Sequence, residues 1–420
     1  MNRSQAPAFY PVQDYTLPKP ERHLLDNGQP LHIWRTHTQP VVALQALFPV
    51  SVSVQDAEGV PGFVGKMLTE GTEGKSYQVV ADTLAEYGAY LTFRMTARLL
   101  ELDLFCLPRF LPKLLPLVQE ILQRPSFEPA RLEQIKQQET EQLLINQEKT
   151  AFLARQHFNQ ALFGTEHPSG KILTPDHVQA LTAQQLRAYF DDHLRDQPGQ
   201  WFLTGNFPDQ TLNQINTYLG QHPLRPRKLP PSPPLNPQYD TPYFQKSKAL
   251  QTSIRIGTHT LPKNHHDYPA LTVLNEIFGG YFGSRLMQNL REDKGYTYGV
   301  SSRLQVVDPQ TTLWVIGADV KKEHRADACQ QIYHELHRLT HERISDTELE
   351  TVKNYLSGSF VGALDTPFAI TEHYKHLVSS ELPPSYYDTL LPAWHQVSAE
   401  EIQRLAAHWS KQKFVEIMVG

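Results

Sequence analysis

A stretch near the middle of the chain, residues 222–237, divides the sequence into two parts. It reads HPLRPRKLPPSPPLNP, with seven prolines among 16 residues. Proline lacks a backbone N–H and has a fixed φ, so this stretch forms neither a helix interior nor a central strand. Proline-rich segments are semi-rigid, extended spacers. We therefore predict an N-terminal arm over residues 1–20, a first domain over 21–221, a linker over 222–240 and a second domain over 241–420.

The pattern of the first part returns after the linker. Residues 128–152 are similar to residues 346–368, and LTAQQL at 181–186 is similar to VSAEEI at 397–402, both at an offset near 217. Self-similarity at this offset indicates an internal duplication. Each half contains both helical and alternating patterns, so the predicted fold class is α+β, with two homologous domains. The clearest sequence patterns predict helices over 76–87, 110–122 and 130–157, and strands over 89–96, 99–106 and 251–257.

Charge and composition exclude several classes of function. The formal net charge is −5 over 420 residues and no basic run stands out, so nucleic acid and anionic membrane are not expected partners. No apolar run approaches the roughly 20 residues of a membrane span, and the N-terminus lacks the apolar core of a signal peptide. Two cysteines exclude a disulfide framework. We expect a soluble cytoplasmic protein, or a periplasmic one if an export signal has been removed.

Residues 274–302 carry the clearest local pattern. They predict a helix, a glycine loop, a short helix capped by Ser284 and running over 285–292, and a strand over 296–301. Arg291 and Tyr298 are seven residues apart across the turn, so their side chains could converge. A guanidinium beside a phenol suits a peptide carbonyl or an oxyanion. The alternative is a core helix pair with a surface arginine and a half-buried tyrosine.

The residues of this stretch that matter most are Asn275, Gly279, Gly280, Ser284, Arg285, Leu286, Leu290, Arg291, Glu292, Gly295 and Tyr298. Together they resemble the C-terminal-half signature of the pitrilysin/insulinase metallopeptidases, the family that includes the mitochondrial processing peptidase subunits. The Asn27-Gly28 hairpin near the start is similar to the opening of that family. The resemblance implies two α/β-sandwich domains, each an antiparallel-rich sheet covered by helices. It also implies that Arg291 and Tyr298 contact the peptide substrate.

Active members of the family carry His-x-x-Glu-His on a helix, where two histidines bind zinc and the glutamate activates water. Matching Phe63, Met67, Leu68, Gly71 and Thr72 to that frame places Gly62, Gly65 and Lys66 at the three catalytic positions. The resemblance implies a third ligand in the helix over 129–147, and Glu141 is the best match, with Gln142 beside it. One carboxylate cannot hold catalytic zinc, which needs three protein ligands. We therefore expect no metal in this chain.

Lys66 places a positive charge where relatives hold a metal ligand. One hypothesis is that Lys66 pairs with Glu141 and replaces the charge of the metal locally. The alternative is that both side chains are solvated. The degenerate zinc-site positions are thus Gly62, Gly65, Lys66 and Glu141.

Three functions follow from the resemblance. The first is a non-catalytic subunit of a heterodimeric peptidase: a zinc-bearing partner of the same family supplies the catalytic groups, and Arg291 and Tyr298 reach across to hold the peptide. Cleavage is then expected only with the partner, and a homodimer is left open for the chain alone. The second is an inactive scaffold or peptide-binding homologue. The third, an active hydrolase with other ligands, is disfavoured because no histidine pair at metal spacing replaces the lost motif.

Overall fold

The computed structural model describes residue 12 and residues 15–37, 39–50, 52–53, 56–229, 233–240 and 242–420. Most of the predicted arm and part of the predicted linker, residues 230–232, lie outside this description. The chain divides into two compact units. The N-terminal unit comprises residues 19–238, and the C-terminal unit comprises residues 239–420 together with the described residues up to Pro18.

The N-terminal unit is a mixed α/β unit with a six-stranded sheet in the order β1-β2-β8-β3-β7-β6. Neighbouring strands are antiparallel except β2 and β8, which are parallel. Its strands are β1 (Glu21–Leu24), β2 (Pro30–Arg35), β3 (Val42–Pro49), the short pair β4 (Gly71–Thr72) and β5 (Lys75–Ser76), β6 (Tyr90–Met95), β7 (Leu99–Cys106) and β8 (Gln200–Gly205). Its helices are α1 (Val60–Met67), α2 (Tyr77–Glu86), α3 (Leu111–Gln123), α4 (Pro129–Gln147), α5 (Thr150–Phe163), α6 (Pro175–Ala180), α7 (Ala183–His193) and α8 (Gln210–Leu219).

Local sequence explains several of these boundaries. The β1–β2 hairpin turns at Gly28, whose φ of 84° suits glycine, and this confirms the Asn-Gly prediction. Thr182 and Gln185 form a reciprocal capping box at the start of α7. The long helical run predicted over 130–157 is interrupted, because α4 ends at Gln147 and α5 begins only at Thr150.

The C-terminal unit is also mixed α/β, and its five-stranded sheet has the order β11-β12-β10-β13-β9. Its strands are β9 (Tyr243–Phe244), β10 (Gln251–Thr260), β11 (Val300–Asp308), β12 (Thr311–Lys321) and β13 (Val415–Val419). Its helices are α9 (Tyr268–Asn275), α10 (Arg325–His341), α11 (Asp346–Gly362), α12 (Pro367–Ser379), α13 (Tyr386–Gln396) and α14 (Ala399–Trp409).

The two sheets share one strand pattern. Read from the opposite edge, the order β9-β13-β10-β12-β11 matches β2-β8-β3-β7-β6, with one parallel pair followed by three antiparallel pairs in both. A buried lysine recurs at equivalent places. Lys136 of α4 donates to the Leu181 carbonyl at 3.2 Å, and Lys353 of α11 donates to the His395 carbonyl at 3.0 Å.

The described part of the proline-rich segment contains neither helix nor strand, as its composition predicts. It is hydrogen-bonded to the N-terminal unit along its length. The Arg225 N–H donates to the Asp196 carbonyl at 2.8 Å, and the Gln238 N–H donates to the Ala161 carbonyl at 2.7 Å. The division between the units, after Gln238, lies within the predicted linker.

The described N-terminal residues pack on the C-terminal unit rather than extending freely. The Leu17 N–H donates to Asp388 Oδ1 at 3.2 Å, and His395 Nε2 lies 2.9 Å from the Val12 carbonyl oxygen. Tyr15 contacts Phe360 edge to face. Among the helices of the described residues, none is long and apolar enough to cross a lipid bilayer.

Candidate functional site

Asn275 ends α9 and ties that helix to the sheet. Its buried amide nitrogen donates to the Ser302 carbonyl at 3.3 Å, and its carbonyl oxygen accepts from the Ser302 hydroxyl at 2.7 Å. The Trp314 indole N–H donates to the same hydroxyl at 2.7 Å. Because buried polar groups are stable only when paired, these three side chains fix the point at which the chain leaves α9.

The predicted glycine loop is a π-helical turn over Glu276–Gly280. A Cβ at position 279 would lie 2.8 Å from the Cβ of Ser302 and 2.9 Å from Leu286 Cδ1. No side chain fits there, since Cβ contacts below 3.0 Å force something to shift. Gly279 therefore allows the turn to pack directly against β11 and the following helix.

The second helix of this stretch covers residues 285–293 and is mostly π-helical, over Met287–Asp293. The Lys294 N–H donates to the Asn289 carbonyl at 3.1 Å, which is a bond across five residues. π-Helical segments are rare and frequently mark functional sites. The prediction that Ser284 caps this helix is wrong, because its hydroxyl is buried with no hydrogen-bond partner among the described residues. Arg285 instead anchors the start, by donating to both carboxylate oxygens of Glu348 at 2.9 and 3.0 Å.

Arg291 lies on this π-helical segment. Its guanidinium carbon is 4.5 Å from the centroid of the Phe282 ring, and Phe282 is itself 63% exposed. A cation–π contact at such an exposed position contributes about 0.5–1 kcal/mol, enough to favour one orientation of the side chain. Within the described part of the chain, the guanidinium forms no hydrogen bond or ion pair. Its N–H donors therefore remain available to a ligand.

Tyr298 lies in the loop before β11 and not in a strand. The strand predicted over 296–301 begins only at Val300. The Thr297 hydroxyl lies 2.8 Å from the carbonyl oxygens of Gly299 and Asp319, and these local bonds replace strand pairing here. Tyr298 is 92% exposed, so its phenol projects into solvent from an anchored loop.

The structure thus places both predicted substrate-binding residues on the surface of the C-terminal unit. No hydrogen bond joins Arg291 to Tyr298 in the described residues; the ring against Arg291 is that of Phe282. The two side chains offer hydrogen-bond donors, and the exposed faces of Phe282 and Tyr298 offer apolar contact area. This combination suits a peptide backbone with apolar side chains.

The predicted metal helix is α1, and its three degenerate positions differ in environment. Gly62 and Lys66 are exposed and lie one turn apart, whereas Gly65 is buried. A Cβ at position 62 would meet nothing within 4 Å, but a Cβ at position 65 would lie 3.2 Å from the Cβ of Met95 on β6. α1 therefore packs close to the sheet at the position where active relatives carry the glutamate.

Lys66 is paired, but the hypothesis that Glu141 is its partner is wrong. Lys66 Nζ donates to Glu139 Oε1 at 2.7 Å. Glu141 is exposed on α4 and accepts a hydrogen bond from Gln137 at 3.1 Å. The helix that faces Lys66 is the predicted one, and the paired residue lies two positions earlier in it.

These residues do not fit a zinc ion. Gly62 and Gly65 have no side-chain donor, and the ammonium of Lys66 occupies the third position beside Glu139. A cation at that position would repel a divalent ion. Among the described residues, one group of three other donors lies close together, namely His265, His266 and Asp267. Its carboxylate is already bound by Arg404, which donates to Asp267 at 2.6 and 3.2 Å.

Two features of the site were not predicted from the sequence. The contact between Phe282 and Arg291 spans a π-helical segment, and its geometry does not follow from 3.6-residue periodicity. Glu139 was overlooked because the partner of Lys66 depends on how α4 is rotated against α1, which helical spacing alone does not fix. Phe282 lies between two glycines, and this aromatic residue was the sequence signal that could have indicated the contact with Arg291.

α1 thus carries Gly62, Gly65 and Lys66 at the positions predicted for a metal site, and the C-terminal unit carries Arg291 beside Phe282 and an exposed Tyr298. The chain is similar to the M16, or pitrilysin, peptidases, and its sequence contains no His-x-x-Glu-His motif. The sequence model of the Peptidase M16 inactive domain matches residues 180–356.

Relatives of known sequence agree with this assignment. The chain is 27% identical over 280 residues to the uncharacterized zinc protease MT2852 of Mycobacterium tuberculosis, covering 63% of this chain and 61% of that protein. It is 25% identical over 266 residues to the non-peptidase homolog YmxG of Helicobacter pylori, covering 60% of this chain and 59% of that protein. The chain therefore aligns with about three-fifths of the length of these relatives.

Solved structures show the same fold. A peptidase M16 inactive domain from Pseudomonas fluorescens superposes with a TM-score of 0.82 at 21% identity, covering 96% of this chain and 98% of that one. The periplasmic protease PqqL from Escherichia coli superposes with a TM-score of 0.75 at 14% identity. That match covers 100% of this chain but 49% of the PqqL chain.

Proposed function

We propose that this chain is the non-catalytic subunit of a heterodimeric M16 peptidase. A partner of the same family supplies zinc, its ligands and the general base, and this chain binds no zinc. The observation that carries the proposal is the pairing of two features in one molecule. The positions assigned to the metal site hold Gly62, Gly65 and Lys66, while Tyr298 is exposed and Arg291 is partly exposed beside Phe282, with no hydrogen bond or ion pair to its guanidinium among the described residues.

In this role Arg291 and Tyr298 act on the peptide and not on a metal. The guanidinium and the phenol donate hydrogen bonds to a peptide carbonyl, and these bonds strengthen as negative charge develops on its oxygen. Phe282 holds the guanidinium in place through its ring. Loss of a single donor to a developing oxyanion costs about 10²–10³ in rate.

The comparisons support a paired arrangement. The matched domain is described as inactive, and this chain corresponds to 49% of the PqqL protease chain. A second chain of similar length could therefore provide the part that PqqL carries in one polypeptide. The shared strand order of the two sheets supports an internal duplication within the present chain. The cytoplasm remains our proposed compartment, with the periplasm, where PqqL is located by its name, as the alternative.

An inactive scaffold or peptide-binding homologue is the second candidate. The relative from Helicobacter pylori is named a non-peptidase homolog, which favours this function. The exposed phenol of Tyr298 and the partly exposed guanidinium of Arg291 disfavour it mildly, because a scaffold does not need residues that bind a substrate.

The test is to mix the purified chain with an M16 relative from the same organism that carries His-x-x-Glu-His, and to measure zinc content and peptide cleavage. We expect no zinc and no cleavage from the chain alone, and cleavage from the mixture. Arg291→Ala and Tyr298→Phe should each lower the rate of the mixture about 100-fold or more while the complex still assembles. Arg22→Ala and Tyr239→Phe, at other surface positions, are matched controls and should leave the rate unchanged.

Two results would contradict the proposal. Stoichiometric zinc and cleavage by the isolated chain would mean that it has its own catalytic site. Unchanged rates in both the Arg291 and Tyr298 variants would remove their role, even if the complex is active. A chain that pairs with no zinc-bearing relative would instead favour the scaffold.

A further inference from the structure

The C-terminal unit contains a pocket of about 440 Å³ to which the proposed function assigns no role. We call it the aromatic pocket and define it by Lys263, Tyr268, Glu276, Phe360, Tyr387 and Trp394, which line it. Its volume lies within the 300–1,000 Å³ typical of small-molecule sites. None of these residues is Arg291 or Tyr298, so the pocket is a separate feature of the unit.

Lys263 brings a positive charge to this pocket without a counter-ion. Its Nζ lies 5.4 Å from the ring centroids of both Tyr386 and Tyr387. Among the described residues, no carboxylate lies within ion-pair distance of it. Burial lowers the pKa of the Lys263 ammonium to about 8, which is the expected effect of desolvating a cation. The aromatic faces compensate only in part, so a carboxylate that entered the pocket would gain a strong partner.

Glu276 brings a carboxyl group to the same pocket and has no cationic partner among the described residues. It follows α9, and it accepts a long hydrogen bond of 3.4 Å from the Asn275 amide. Burial raises the pKa of the Glu276 carboxyl to about 7. The carboxyl lies against Gly280, where a Cβ would overlap it. Arg303 also lines the pocket but forms no ion pair with Glu276 in the described residues.

The fold does not pair Lys263 with Glu276. Lys263 precedes α9 and Glu276 follows it, and no ion pair joins their side chains among the described residues, although both line the pocket. A ligand that carries a carboxylate and an ammonium would therefore bring a partner to each of them.

The wall between the charges suits a peptide with an apolar side chain. The Phe360 ring packs at 5.3 Å from Tyr387 and 5.9 Å from Trp394, measured between centroids. Two buried polar atoms of lining residues, Trp394 Nε1 and His373 Nδ1, have no hydrogen-bond partner among the described residues. Unpaired buried polar groups are costly, and a peptide backbone offers both an acceptor for the indole N–H and a donor or acceptor for the imidazole.

We propose that the aromatic pocket binds a short peptide with free termini, its carboxylate at Lys263, its ammonium at Glu276 and an apolar side chain among Phe360, Tyr387 and Trp394. Such a ligand has the chemistry of a proteolysis product. The inference stands apart from the role of Arg291 and Tyr298, because it concerns binding by the isolated chain.

The test is isothermal titration of the full chain with the tripeptide Ala-Leu-Ala, its C-terminal amide and its N-acetyl form. We expect the free tripeptide to bind, and each blocked form to bind at least about tenfold more weakly, because a charge-assisted hydrogen bond is lost. Lys263→Met should weaken the free tripeptide to the level of the amide and leave the amide unchanged. Glu276→Gln should do the same for the N-acetyl form.

A matched control separates this site from the rest of the molecule. Lys411→Met, at an exposed lysine, should bind Ala-Leu-Ala like the unmodified chain. Thermal unfolding of each variant establishes that it is folded, and removal of the unpaired Lys263 charge should not lower stability. Equal affinity for free and blocked peptides, no effect of Lys263→Met in a folded variant, or no binding of Ala-Leu-Ala at 10 mM would each overturn the proposal.

Discussion

At the scale of single residues, Glu276 shows how burial makes one carboxyl sensitive to pH. Burial raises its pKa from 4.5 in the unfolded chain to about 7. Between these values the folded state holds a proton that the unfolded state releases. The stability linked to this group is therefore complete below about pH 4.5, falls as pH rises, and is lost above about pH 7.

Replacement of Glu276 by glutamine removes this titration. We expect the stability of Glu276→Gln relative to the unmodified chain to rise by about 2 kcal/mol between pH 5 and pH 8, a value reduced for partial exposure of the group. Urea unfolding at a series of pH values measures it. His373 and Lys263 are present in both proteins, so their titrations cancel. A difference that stays constant with pH would show that Glu276 is solvated in the folded chain.

At the scale of elements, sequence patterns predicted those helices and strands whose residues follow the ordinary helical or strand periodicity. The helix expected over 129–147 is α4, and the proline at its start is a local signal, whereas the longer helical run predicted over 130–157 is interrupted after Gln147. The strand predicted at 296–301 is wrong at its start, since the hydroxyl of Thr297 bonds locally and holds the chain in a loop. The two π-helical segments were not predicted, because helical periodicity in a sequence is matched to 3.6 residues per turn and carries no signal for the wider π-helical turn.

The candidate site was also predictable from the sequence only in part. Arg291 and Tyr298 could be named from their motif, and the structure leaves both accessible. Their surroundings could not: Phe282 against Arg291 and Glu139 against Lys66 are contacts between elements, set by rotation and depth of packing. Sequence spacing gives the face of a helix and does not give the residue that it meets.

The glycine turn offers an element-scale prediction. Gly279→Ala places a Cβ 2.8 Å from Ser302 and 2.9 Å from Leu286, so we expect a loss of about 1–3 kcal/mol of stability by overpacking. Gly358→Ala is the matched control on α11, where a Cβ meets nothing within 4 Å, and it should gain up to about 1 kcal/mol from helix propensity. Urea unfolding compares the two. Equal stability of both variants would mean that the turn can move away from β11.

At the scale of the whole molecule, the order of residues along the chain does not match their division between the two units. Residues up to Pro18 precede the N-terminal unit in sequence yet belong to the C-terminal unit. Leu17 is only 2% exposed and its N–H is bonded to Asp388. The described residues of the predicted arm up to Pro18 are thus a component of the folded C-terminal unit. Prolines at its end explain the extended backbone, but the contact with a helix over 370 residues away in the sequence has no local signal.

Because Leu17 belongs to the C-terminal unit, we expect its replacement to have a large effect on stability, although a domain boundary at residue 21 would exclude it. Leu17→Ala should lower the free energy of unfolding by about 2–4 kcal/mol, because it removes buried apolar contacts and leaves a cavity. Leu250→Ala, at a leucine that is 88% exposed, is the matched control and should change stability by less than about 0.5 kcal/mol. Hydrogen exchange should show the loss of protection concentrated in α13, which carries Asp388. If Leu17→Ala were as stable as the control, the N-terminal residues would not be part of the C-terminal unit, and a fragment beginning at residue 239 would contain everything that this unit needs to fold.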